Sequence, residues 1–311
     1  MSQHVTNQSK WKPWKGFVLF GITMVIIILG GILSTYIGIW GTLLSQAAML
    51  GLAIAACLIN KTPLKEVFPI KKITFRDLVA VILLWIGGHA IGTASIYLSG
   101  MIFPNYYETV NGNMETLLTG GILIVSFITV VLCPPICEEA ITRGAILSNF
   151  RGLKHDWLIV LIIGLMFGAM HTDPIRFINT AILGATAAYF MVKRNNLTLP
   201  ALLHLINNFV AGGIQILLSM FVSDKAEQIS EATSTYSNVN LLSSTMVTFC
   251  FAPICIVLGV HLIRRQNQIE KGEPKSGKLW PKIIIATVLS IAILAEGLIL
   301  QIKYPVMTQA K

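Results

Sequence analysis

The sequence predicts an all-α fold: a polytopic transmembrane helical bundle of about eight to nine membrane spans. Three observations predict it. Charged residues make up 12% of the 311-residue chain, against roughly 25% in soluble globular proteins. Apolar residues reach 54%, more than a water-facing shell of this size can cover. Runs of about 20 apolar residues, the length needed to cross a hydrocarbon core, recur along the whole chain. The same composition excludes collagen, coiled coil, a disordered tail and a disulfide-stapled domain.

Nine such runs stand at about 16–38, 41–60, 78–101, 119–148, 157–171, 175–192, 199–222, 241–263 and 282–302. The fifth is short, and the first two are joined by almost nothing. Backbone polar groups need internal partners in lipid, so the spans are expected to be helices; no segment shows the alternation of an outer-membrane barrel. The first run exceeds the 7–15 apolar residues of a signal peptide and no convincing A-x-A-like site follows it, so it is read as retained.

The cations fix the expected orientation. Of 23 Lys and Arg, 19 fall in the N-terminal segment and in alternate junctions: after the second, fourth, sixth and eighth runs. Arg143, Arg151 and Lys154 are counted at the end of the fourth. The segment 102–120 carries Glu108 and Glu115 but no Lys or Arg. By the positive-inside rule the protein is a multi-pass cell-membrane protein with a cytoplasmic N-terminus and an external C-terminus. The net charge of +9 then reports orientation, and no nucleic-acid partner is implied.

Smaller features complete the outline. Lys61–Asp77 mixes charges with Val67, Phe68, Ile70, Ile73 and Phe75 and reads as a cytoplasmic interfacial segment. Residues 223–240, rich in Ser, Thr and Asn, read as an external loop. No internal repeat stands out, which weakens an inverted-repeat transporter. Cys57, Cys133, Cys137, Cys250 and Cys255 all lie in apolar runs without a C-x-x-C pair and read as buried small hydrophobes. The expected organisation is an N-terminal membrane region over 1–114, a four-span core over 115–222 and a C-terminal two-span region over 223–311.

Ionisable groups inside a membrane are costly, and each is a functional hypothesis. The fourth run contains Cys137-Glu138-Glu139-Ala140-Ile141-Thr142-Arg143-Gly144, just after Pro134-Pro135. Glu139 and Arg143 stand four apart with the acid first, the favourable order for an intrahelical ion pair. Glu138 is left without an obvious partner and suits a general base; both acids acting only as helix glue is the competing reading. The prolines are expected to kink the helix and free carbonyls. The fifth run ends in Phe167-Gly168-Ala169-Met170-His171, and the seventh carries His204-Leu205-Ile206-Asn207-Asn208. His204 and Asn208 share a helix face and suit an oxyanion.

Helical rise places Glu138 about 20 Å from Arg151, His171 about 22 Å from Asp156 and His204 about 15 Å from Arg194, so the three depths agree within roughly 7 Å. One buried site is geometrically allowed. His89 and Glu296 stand alone and read as helix contacts. His261, near a span end, and His4, in the tail, do not read as catalytic.

Glu-Glu-x-x-x-Arg, then Phe-x-x-x-His, then His-x-x-x-Asn, in three spans and in this order, resembles the CPBP family of type II CAAX prenyl proteases and bacteriocin-processing or self-immunity proteins. The resemblance covers roughly residues 115–215 and includes Gly184 and the Lys193–Asn208 stretch. It implies an intramembrane endopeptidase acting on a membrane-associated peptide or protein. Glu138 would activate water, His171 would help hold it, His204 and Asn208 would stabilise the oxyanion, and Glu139 with Arg143 would shape the site. Thr142 departs from an aromatic common before the Arg, which bears on local packing and substrate subclass.

H-E-x-x-H is absent. Glu138, His171 and His204 would suit zinc with water in the open position, or would activate water unaided; no metal is taken as obligatory. Three functions remain in play: the endopeptidase, a catalytically silent scaffold or immunity protein, and a small-solute transporter. Maturation of, or resistance to, a bacteriocin or pheromone peptide fits better than prenyl-protein processing, by family analogy alone.

Overall fold

The computed structural model describes residues 11–103, 122–214, 216–217, 238–274 and 277–304. Those residues form helices and connecting turns with no strand among them. The acidic segment 102–120, the loop 223–240 and both expected domain boundaries lie wholly or largely outside the described residues.

Within the described residues each of the nine apolar runs is helical over most of its length. The elements are α1 (Pro13–Ile37), α2 (Ile39–Ile59), the short α3 (Leu64–Val67), α4 (Phe75–Ile102), α5 (Leu123–Ile146), α6 (Asp156–Met170), α7 (Phe177–Arg194), α8 (Thr198–Asn208), α9 (Asn238–Phe249), α10 (Ala252–Glu270) and α11 (Trp280–Lys303). By length and composition, six helices are able to cross a membrane: α1, α2, α4, α5, α11, and α9 with α10 as one run, Leu242–Glu270. Helices α6, α7 and α8 are shorter or more polar, and α6 and α7 each bury one face while Trp157, Leu161, Leu165 and Ile178 remain exposed on the other. Many large apolar side chains of α1 and α11 face outward, as lipid-facing helices require.

One residue, Gly38, links α1 to α2. Its φ of 62° is a left-handed conformation that glycine adopts without a Cβ clash. Helices α6 and α7 approach closely because Gly164 and Gly168 offer no side chain where Ala181, Ala185 and the Phe177 carbonyl pack. This is the small-x-x-x-small logic of membrane helix pairs. The main core joins α1, α2, α5, α6 and α7 through Met49, Ile141, Ile146, Phe150, Ile163 and Phe167.

The basic junctions meet at one end of the bundle, as the charge alternation requires. The Lys12 amide reaches Asn149 and the Lys15 ammonium reaches Asn60. Arg151 donates to Asn195 at 2.9 Å, and Lys193 pairs with Asp156 at 2.7 Å. Arg194 is the hub: it reaches Asp77 of α4 at 2.8 Å, Asn267 at 2.6 Å and Glu270 of α10. Arg143, counted with these cations in the sequence, lies instead inside the bundle with no exposure.

The segment after α2 is docked, and only part of it faces outward. Val67 is buried. Asn196 closes a two-way bond with the Lys71 backbone at 3.0 and 3.1 Å, and the Leu197 amide donates to Pro69 at 2.7 Å. Ile70 and Phe75 remain exposed, in keeping with an interfacial position.

The Asp77 carboxylate is wholly buried against Arg194. Removing the cation strands that charge, which costs about 3–5 kcal/mol. Arg194→Gln is expected to lower the thermal unfolding midpoint in detergent, and Asp77→Asn added to it is expected to recover part of the loss. Equal midpoints for the single and double variants would refute this account.

Candidate active site

The site starts from a backbone defect. Pro134 and Pro135 lack the N–H groups that would bond the Val130 carbonyl in an α-helical (i−4) and a π-helical (i−5) register respectively. That carbonyl is therefore deprived in both registers. Helix α5 passes through a π segment at Ile128–Leu132 before the prolines and another at Ala140–Ile146 after them. The Asn208 side chain fills the gap, donating to Val130 O at 3.0 Å. The amide expected to face an oxyanion thus spends one of its two N–H groups on the backbone of α5.

Beyond the prolines lies a buried charge network. Arg143 pairs with Glu139 at 2.8 Å, as their spacing predicts, with side-chain exposures of 0% and 1%. The guanidinium also donates to Thr142 Oγ1 at 2.7 Å and to the Gly184 carbonyl at 3.1 Å. It stands 4.2 Å above the Phe167 ring centroid, a cation–π contact. The Thr142 hydroxyl in turn donates to the Glu138 carbonyl. The Thr142 oxygen thus accepts a hydrogen bond from the buried Arg while its own hydrogen goes to the backbone.

Phe167 is the shared wall. His171 meets its ring at 5.0 Å and His204 at 5.5 Å between centroids, both edge-on. His204 Nδ1 lies 2.8 Å from Glu139 Oε1. That carboxylate is already ion-paired and accepts, so Nδ1 carries the hydrogen and Nε2 faces away. Nε2 points to Glu138 Oε2 at 4.0 Å. His171 Nδ1 lies 3.0 Å from the Phe167 carbonyl; a carbonyl only accepts, so His171 likewise presents a bare Nε2. His171 stands within electrostatic reach of both Glu138 and His204. Four residues from three helices, Glu138, Glu139, His171 and His204, thus converge as their depths allow.

The two adjacent carboxylates differ in access. Glu138 retains 14% side-chain exposure against 1% for Glu139, so Glu138 is the one open to water and ligand. It is not without a partner: Gln46 of α2 donates to its Oε1 at 2.8 Å. Gln46, 6% exposed, is a site residue that a scan for ionisable groups passes over. A neutral amide in an otherwise apolar span was the available signal. His89 stacks on Trp85 at 5.1 Å and Glu296 is exposed on α11; neither belongs to this cluster. All five cysteines are free thiols.

The zinc option has mixed support from these groups. Imidazoles held through Nδ1 by a carboxylate or carbonyl, with Nε2 presented, are the usual outer-shell arrangement of metal ligands. Yet among the described residues no three His, Cys, Asp or Glu side chains stand as a ligand set.

Gly184 makes the network compatible with close packing. A Cβ there would lie 2.6 Å from Phe167 Cβ, so Gly184→Ala must displace Phe167 and with it the wall against both histidines. Overpacking of this kind costs about 1–3 kcal/mol. The variant is expected to melt earlier and to lose activity beyond what the melting shift explains. Unchanged activity would show that the Phe167 position does not matter.

No curated protein and no solved structure matches the chain. Residues 120–210 match the family model described as type II CAAX prenyl endopeptidase, Rce1-like. The match covers under a third of the chain and contains Glu138, Glu139, Arg143, His171, Gly184, His204 and Asn208. It supports a CAAX-protease-type endopeptidase in a multi-pass membrane protein. The segment that builds the charge network is therefore the one that matches the type II CAAX prenyl endopeptidase, Rce1-like, family model.

Proposed function

We propose that the protein hydrolyses a peptide bond in a membrane-associated peptide or protein, with Glu138 as the base that activates water. The observation that carries this reading is the meeting of Glu138, the more accessible of the paired acids, with His204 Nε2 at 4.0 Å. Glu138 takes one proton from water, and His171 Nε2 accepts a hydrogen bond from its other hydrogen. The resulting hydroxide attacks the scissile carbonyl carbon. With a second proton taken up from solvent on Nε2, and kept through the cycle, His204 donates that N–H to the oxyanion, while Glu139 and Arg143 hold the ring in place. The second N–H of Asn208 is the other donor. Glu138 then returns the proton to the leaving nitrogen as the C–N bond breaks, leaving a carboxylic acid and an amine; the acid's remaining proton passes to the amine, so the products part as carboxylate and ammonium. Acid–base balance is complete within these side chains.

Gln46 is a positioning residue here. Its hydrogen bond to Oε1 orients the carboxylate so that Oε2 faces His204 and the water. In this reading the basic end of the bundle faces the cytoplasm, the orientation the positive-inside rule favours, with the N-terminus on that side. Substrates of the bacteriocin or pheromone kind fit the family analogy, as do prenylated proteins; zinc content of the purified protein and activity under chelation test the metal question.

Comparing membrane peptides from cells carrying the wild type and Glu138→Ala identifies the substrate. Glu138→Ala and His171→Ala are each expected to lower cleavage by at least about a hundredfold while the protein still inserts. Activity that survives Glu138→Ala would overturn the mechanism, and immunity or signalling that survives it would favour a silent scaffold.

A separate pair of variants probes α2. Gln46→Ala is expected to slow turnover by about tenfold with little change in KM, and Gln46→Glu more strongly, because a second carboxylate repels Glu138. Wild-type turnover in both would remove Gln46 from the site.

A further inference from the structure

The largest group of cations in the sequence, six between residues 264 and 282, joins the last two apolar runs, and the charge network around Glu138 uses none of them. Arg264, Lys278 and Lys282 line one open cavity of about 620 Å³, mouth included, between α10 and the start of α11. Apart from His261 and Gly277, the rest of its lining is apolar: Ile256, Val257, Val260 and Leu279. Along α10, residues 256, 260 and 264 follow one face, so Arg264 stands about 6 Å above Val260 and about 12 Å above Ile256. The cavity is thus cationic at its rim and hydrocarbon-like at depth.

Charge balance strengthens the reading. Among the described residues, Arg264, Lys278 and Lys282 form no ion pair. The nearby acids are taken: Glu270 pairs with Arg194 and Glu273 with Lys271. Three positive charges therefore face one cavity with no carboxylate among the described residues ion-paired to them. The hub of Arg194, Asn267 and Glu270 places this end of α10 at the basic face of the bundle, the depth of lipid headgroups. Trp280, 62% exposed, opens α11 beside the cavity, an interfacial position that tryptophan favours.

We propose that this cavity binds one anionic glycerophospholipid from the leaflet on the basic face. Arg264, Lys278 and Lys282 hold its phosphate, the guanidinium as a two-pronged donor and the ammonium groups as point charges. The upper part of one acyl chain lies against Ile256, Val257 and Val260. A free anion would gain nothing from that apolar floor, whereas a lipid uses both halves. The ligand would also bridge α10 to α11, a helix in which only Ala286 and Gly297 are buried.

The test uses the full chain purified in neutral detergent and native mass spectrometry with phosphatidylglycerol, phosphatidylcholine or inorganic phosphate as probes. Wild type is expected to retain phosphatidylglycerol about tenfold over phosphatidylcholine. Arg264→Gln/Lys278→Gln/Lys282→Gln is expected to lose that preference, as is Val260→Trp, which fills the floor. Lys65→Gln/Lys72→Gln/Arg76→Gln, with the same net charge, is expected to keep it, and Lys278→Arg/Lys282→Arg is expected to keep both the preference and the melting midpoint. No preference in wild type, or equal preference in the two triple-Gln variants, would overturn the proposal. Displacement of the lipid by inorganic phosphate, or retention in Val260→Trp, would assign the site to a free anion and overturn it as well.

Discussion

A guanidinium with no solvent exposure, held in a bundle of apolar helices, is the constraint on which the rest of the interior depends. An ionised group there is tolerable only when its charge and its N–H donors are met. Arg143 is met at its two terminal nitrogens by Glu139 in its own helix, by the Gly184 carbonyl from α7 and by Thr142, and across its plane by the face of Phe167 from α6; its Nε alone makes no hydrogen bond. Each partner imposes a condition in turn. The carbonyl is reachable because residue 184 has no side chain, and the ring is held because α6 and α7 meet through glycines. Glu139 uses the same oxygen, Oε1, for Arg143 and for His204, so the ion pair and the imidazole orientation stand or fall together.

A second constraint acts on the backbone. Two consecutive prolines leave one carbonyl without a helical partner, and burying such a group unpaired is costly. The bond from Asn208 to Val130 supplies the missing donor from another helix. It also ties the end of α8 to α5 eight residues before Glu138. The two polar residues on one face of α8 therefore do different jobs, His204 engaging the acids and Asn208 engaging the backbone.

Helix positions were legible because apolar runs report membrane length directly, and the ion pair was legible because its partners share a helix at fixed spacing. The convergence of Glu138, His171 and His204 was legible only as agreement in depth, since depth follows from helical rise but azimuth does not. Gln46 escaped because the scan weighed charge, while its importance comes from a contact spanning 92 residues of sequence. The proline-freed carbonyl was foreseeable, but its partner was not, because which side chain caps a stray carbonyl depends on tertiary packing. The dual role of Phe167 as cation–π face and histidine wall likewise exists only after α5, α6 and α8 have packed.

The single-residue link between α1 and α2 bears on how the chain is built. Gly38 alone cannot cross a headgroup layer or hold a translocated loop, so the two helices enter the bilayer as one hairpin. Gln46 goes in with them, carrying an amide whose partner has yet to be synthesised. At about 5–20 residues per second, the 92 residues that separate it from Glu138 take roughly 5–20 seconds to appear. During that interval the nascent hairpin holds an unsatisfied polar group in lipid, which favours its waiting beside the insertion machinery until the fourth span arrives. The pocket's oldest polar residue in biosynthetic order is thus a reason for the later helices to assemble against α2.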